Sequence, residues 1–262
     1  MTSVTKVPIH RPDAQRATNG RKPVADGYQR GAIAKAAFAG EERRSYGSGG
    51  EYGWSVDEGL AQIDRLVLQL FAVIGENVAG ATHAFLSGDR EEGKILADQD
   101  EVVDRIYREA EALTLEQMHD RSRGDDDLRF LITVLRMLPD LERNGDLAEH
   151  VARRAARGLG MELSARSRGL VERMGEVASH MWRSTTDAYA ERLPTAAAVV
   201  DDLDDEMDDL HVSLTVEVVA GTMPLPVAVE LAMVARFYER FGDHAVNLAT
   251  RVATLAAGAT VA

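Results

Sequence analysis

Two pairs of acidic residues stand four apart in closely similar words: Glu142 and Asp146 in LPDLERNGDLAEHVARR, and Glu239 and Asp243 in RFYERFGDHAVNLATRV. On a helix this spacing places both carboxylates on one face. One turn further on stand His150 in the first word and Asn247 in the second, so both sets consist of oxygen or imidazole donors. Two further pairs with the same spacing, Asp100 with Asp104 and Asp204 with Asp208, supply more carboxylates. Donor sets rich in carboxylate suit hard cations such as magnesium or manganese, and iron or zinc once an imidazole joins.

The competing explanation is an ordinary charged helix surface, for which like charges at this spacing cost only a few tenths of a kcal/mol. The residues leading into each pair argue against it. Leu131, Leu135 and Leu138 precede Glu142 and Asp146 on one face, and Ala228, Ala232 and Ala235 precede Glu239 and Asp243. Carboxylates ending an apolar face are partly desolvated, and either a cation or a guanidinium must offset that cost. Arg136, Arg143, Arg236 and Arg240 are close enough in sequence to form structural ion pairs instead.

The elements that must carry these residues follow from the periodicity. Leu60, Ile63, Leu66, Val67, Leu70 and Ile74 recur at helical spacing, with Ser55 and Glu58 as a capping box. Helices are expected from there to about 86, over about 90–120, 125–159, 161–190, 195–220 and 225–257, with breaks at SGD, RSRGDDD, Gly160, Pro194 and the MPLP corner. Pro139 falls one turn before Glu142 and is expected to kink its helix. The acid words realign at a shift of 97 residues, and the Asp100 and Asp204 pairs at a shift of 104. The expected fold is therefore all-α: two tandem three-helix bundles related by a pseudo-twofold, over residues 55–160 and 161–258.

Residues 1–54 hold 9 Lys and Arg against 5 Asp and Glu, whereas the rest holds 21 against 38, a net −17. This favours a disordered basic tail ahead of an acidic body, and the body should repel nucleic acid. Without cysteine there is no thiolate chemistry. Neither an apolar run long enough to span a membrane nor an export signal is evident, so a cytoplasmic location is expected. No phosphate-cradling glycine loop or nucleophile arrangement points to an enzyme. Glu116-x-x-His119 stands alone, since Asp208-x-x-His211 replaces the second Glu that a ferritin-like di-iron bundle would require.

The words DLERNGDLAEHVA and FYERFGDHAVNLA closely resemble the repeated acidic signature of the PhoU family, and DLRFLITVLRMLPDLERNGD resembles its third helix. The resemblance covers about 57–258. It implies a non-enzymatic, often dimeric protein that binds metal at Glu142, Asp146, Glu239 and Asp243, supported by the aspartates of the second and fifth helices. It also implies a negative regulator of phosphate uptake, linking a phosphate-transporter ATPase to a sensor histidine kinase. Asn144, Pro139 and Phe237 depart from the family pattern. A metal-storing or structural bundle without a signalling role would need the same acids.

Overall fold

The computed structural model describes residues 57–258, and the expected basic tail lies outside them. Helix α1 spans Glu58–Ser87. Its cap is Asp57 rather than a Ser55 box: the Asp57 carboxylate accepts the Gly59 N–H at 2.8 Å and the Leu60 N–H at 3.4 Å. Ser55 lies outside the described residues. Gly88 ends the helix at φ 75°, a left-handed conformation that favours glycine.

The second expected helix is divided into α2, Arg90–Asp98, and α3, Asp100–Gln117. Gln99 joins them in right-handed conformation, its N–H donating to the Leu96 carbonyl, so the chain tightens for one step and continues. Helix α4, Asp125–Ala156, runs through Pro139; three aspartates open it and Arg153 and Arg154 close it, matching the helix dipole at both ends. A single 3-10 turn, Leu159–Glu162, leads to α5, Ala165–Glu191, which Ser164 caps by accepting the Ser167 N–H. Helices α6, Ala196–Val219, and α7, Leu225–Gly258, complete the described chain.

Helices α1, α3 and α4 pack as one three-helix bundle and α5, α6 and α7 as the other, with α2 lying against α4. The bundles meet along α1 with α5 and α4 with α7, so a continuous apolar core runs through both. Large aromatics fill this seam while their polar ends find partners on the opposite bundle. Trp182 sits 5.2 Å from Phe71 and 5.1 Å from Phe241 between ring centroids, and its indole N–H donates to the Phe71 carbonyl at 2.8 Å. The buried Tyr238 hydroxyl lies 2.7 Å from the Thr82 hydroxyl, and Tyr189 donates to Asp64 at 2.8 Å. Apart from the Trp182–Phe241 contact within the second bundle, these contacts join α1 to the second bundle.

Candidate metal centres

Helices α4 and α7 bury the apolar stripes expected of them, including Leu131, Leu138, Ala228 and Ala235 ahead of the acids. Glu142, Asp146 and Glu239 are consequently half-buried, while Asp243 at the end of its face is exposed. Close approach of the partner helix is permitted by equivalent glycines in the two words. A Cβ on Gly145 would meet Val103 Cγ1 at 2.9 Å, and one on Gly242 would fall 2.8 Å from Asp204 Oδ1. The absence of a side chain at Gly242 is thus what lets the Asp204 carboxylate lie against α7.

In the first bundle the helix pair α3–α4 gathers Asp100, Asp104, Glu142 and Asp146 into one electrostatically coupled set. Burial, reinforced by the charges of Glu149, Asp146 and Asp104, pushes the Asp100 carboxyl up to about 6. Burial and then Asp146 and Asp104 raise Glu142; burial and then Glu149 and Asp104 raise Asp146, opposed by His150. Glu149 is a member that sequence reasoning missed. It is buried, accepts from Arg153 Nε at 2.7 Å, and lies 3.2 Å from His150 Nδ1. His150 itself is exposed.

The second bundle repeats this with α6 and α7. Burial, then Asp208, Asp243, Asp201 and Glu239, lift the Asp204 carboxyl to about 6. Glu239 is raised by burial and Asp243, against the lowering effect of Arg236 and His211. Its Oε1 accepts from Arg236, so the guanidinium compensation weighed from sequence is realised for one oxygen. The other oxygen, Oε2, is buried with no hydrogen-bond partner. Asn247 is exposed beyond Asp243.

Asp208-x-x-His211 fails the di-iron pattern, yet His211 bears on the second acid set. At the shift of 104 it corresponds to Tyr107, which the charge of Glu142 helps to raise, whereas His211 lowers Glu239. The imidazole charge therefore opposes the rise of Asp146 in the first set and of Glu239 in the second.

Among the described residues no group of three or more His, Asp or Glu side chains is arranged to hold a metal ion. The donor chemistry nevertheless fits a hard cation. Desolvated carboxylates repel one another in both sets, and Glu239 Oε2 is an orphaned buried acceptor that a cation would satisfy.

Duplicated three-helix bundles, each with a partly buried acid set between its last two helices, define the class: an all-helical tandem-repeat protein. The model of the PhoU domain matches residues 67–155 and 171–252, and the chain belongs to the PhoU family. It is 30% identical over 205 residues to the phosphate-specific transport system accessory protein PhoU homolog 2 of Mycobacterium tuberculosis, covering 77% of this chain and 96% of that protein. The corresponding accessory protein homolog of Rhizobium meliloti is 28% identical over 208 residues, covering 78% and 87%. The crystal structure of PhoU from Pseudomonas aeruginosa superposes with a TM-score of 0.71 at 26% identity, covering 76% of this chain and 98% of that one. The phosphate transport system regulatory protein PhoU from Streptococcus pneumoniae, at 20% identity and a TM-score of 0.67, shares the fold. Accessory function in phosphate transport is the role these relatives carry by name.

Proposed function

We propose that this protein is a non-enzymatic negative regulator of phosphate uptake and of the phosphate-starvation response. Divalent or ferric ions would be held by Glu142, Asp146, Asp100 and Asp104 with His150, and by Glu239, Asp243, Asp204 and Asp208 with Asn247; Glu149 and His211 extend the two sets. The observation that carries the metal assignment is the duplicated acid set, with its raised carboxyls and the unpartnered Glu239 Oε2. A bound cation neutralises charges that otherwise repel across α3–α4 and α6–α7, and so locks each helix pair together.

The membership and the names of the relatives support a role beside a phosphate transporter. The proposed partners are the transporter's ATPase subunit and a sensor histidine kinase, met in the cytoplasm by a homodimer. Among the described residues no helix is long and apolar enough to cross a membrane. A body at −17 steers toward basic surfaces on such partners.

Deletion of the gene tests this reading. Phosphate-starvation genes should switch on in ample phosphate, and return to repression on complementation with the intact chain but not with the Glu239→Ala/Asp243→Ala variant. Unchanged expression with altered metal handling would establish the storage bundle instead.

A further inference from the structure

The exposed face of α6 changes character along its length. Asp201, Asp202, Asp205 and Asp209 come first, all exposed, and none has an ion-pair partner among the described residues. Val212, Val216 and Val219 follow on the same side at helical spacing, and stand 60%, 59% and 79% exposed. Beyond the turn, Leu225 and Val229 are exposed as well. The lone charge between Val212 and Val229 is Glu217, which Arg166 holds at 3.1 Å. Exposed β-branched residues cost helix propensity and gain no packing unless something covers them.

The first bundle shows that the fold does not require such a face. At the shift of 104, Asp209, Val212 and Val216 correspond to Arg105, Arg108 and Ala112 on α3. Arg108 there pairs with Asp104 of its own helix at 3.8 Å, so charges of both signs are mixed along one surface.

The chain preceding Asp57 carries a complement in matching order. Asp64, about two turns into α1, accepts from Tyr189 at 2.8 Å and from Arg192 at 2.6 Å, and α6 begins at Ala196, just after Arg192. The chain therefore leaves Asp57 at the end of the molecule where α6 starts. Outward from Asp57 come residues 45–56, then Arg44 and Arg43, then Phe38, Ala37, Ala34 and Ile33. The last four share one face at helical spacing. Lys35, Arg43 and Arg44 outnumber Glu41 and Glu42, so the segment brings a net positive charge to the aspartates. Residues 45–56 span up to about 40 Å when extended. Asp209 lies about 20 Å along α6 from its start, and two packed helices add about 20 Å across, which this span covers.

We propose that residues 33–44 dock on the exposed face of α6 in the same chain, Arg43 and Arg44 against Asp205 and Asp209, and Phe38 and Ile33 covering Val212 and Val216. On a helix Ile33 to Phe38 and Val212 to Val216 both rise about 6–8 Å, so the apolar lengths agree. A tether of this length supplies a high effective concentration, and a small apolar contact is then enough to keep the segment in place. Neither metal binding nor a regulatory role is required for this docking.

The chain has no cysteine of its own, so an introduced pair reports on a single contact. Full-length Ala37→Cys/Val216→Cys, oxidised with copper phenanthroline at micromolar protein, should form a disulfide within one chain at least about tenfold faster than Ala37→Cys/Ala112→Cys. Ala112 is the counterpart position on α3, five residues from Gln117, whose side chain lies against Gly59 beside the start of α1. Tether length alone thus favours the control pair. Adding Phe38→Asp to the first pair should slow it to the rate of the control, with the helical circular dichroism signal unchanged. Equal rates for the two pairs, no effect of Phe38→Asp, or a disulfide formed chiefly between chains would overturn the proposal, and the last would place a second copy on α6 instead.

Discussion

Replacing Asp204 by Asn should stabilise the metal-free protein, which is the reverse of what removal of a structural ion pair would do. Asp204 lies against the open side of Gly242, and burial together with Asp208, Asp243, Asp201 and Glu239 holds its carboxyl at about 6, against 3.8 in the unfolded chain. A raised acid binds more protons in the folded state, so stability is greatest below the unfolded value and falls as pH climbs through about 6. At face value the ionised group costs about 3 kcal/mol at neutral pH. Solvent screening of a carboxylate that is only half-buried reduces this to about 1 kcal/mol. Urea and thermal melts in EDTA should therefore show Asp204→Asn more stable by about 1 kcal/mol at pH 7.5, about 2–4 °C for a chain of this size. At pH 4 the two proteins should converge, because wild-type Asp204 is then largely protonated in the folded state. The reasoning is refuted if the variant is destabilised at pH 7.5, or if its advantage is the same at both pH values.

Three further outcomes are expected. Gly242→Ala should reduce metal retention by the second set while leaving melting unchanged or slightly raised, since its Cβ displaces the end of Asp204 and alanine favours helix by about 0.5–1 kcal/mol; retained metal with a lowered melting temperature would contradict this. His211→Ala should weaken manganese binding by the Glu239 set in isothermal titration without affecting the Glu142 set, because His211 lies on α6 of the second bundle and bears on Glu239; an equal effect on both would refute the assignment. Thr82→Val should cost about 1–3 kcal/mol in urea unfolding, because it leaves the buried Tyr238 hydroxyl without its 2.7 Å partner across the seam; a neutral result would show that the seam tolerates the loss.

Much of this architecture is legible in the sequence because helical periodicity and internal repetition report the same constraint twice. The stripes that place Leu231, Val234 and Tyr238 in the core also place Glu239 at its edge, and all three apolar residues are buried as expected. The break at Gln99 was not legible, since Asp98 to Asp100 carry no glycine or proline and the backbone there departs only slightly from a helix. The Asp57 cap escaped notice because Ser55 with Glu58 offered an equally good local pattern two residues earlier. Glu149 and His211 were hidden for a different reason. Their nearest sequence neighbours do not reveal them; they join the acid sets through the packing of α3 on α4 and of α6 on α7.

The most direct test of the central claim is metal titration of the purified chain, followed by elemental analysis after gel filtration, for wild type and two double variants. Glu142→Ala/Asp146→Ala and Glu239→Ala/Asp243→Ala should each remove the metal bound by one bundle, leave the other bundle's metal in place, and preserve the helical circular dichroism signal. Full metal occupancy in both double variants, with the helical signal intact, would show that the duplicated acids are surface charge and not metal centres.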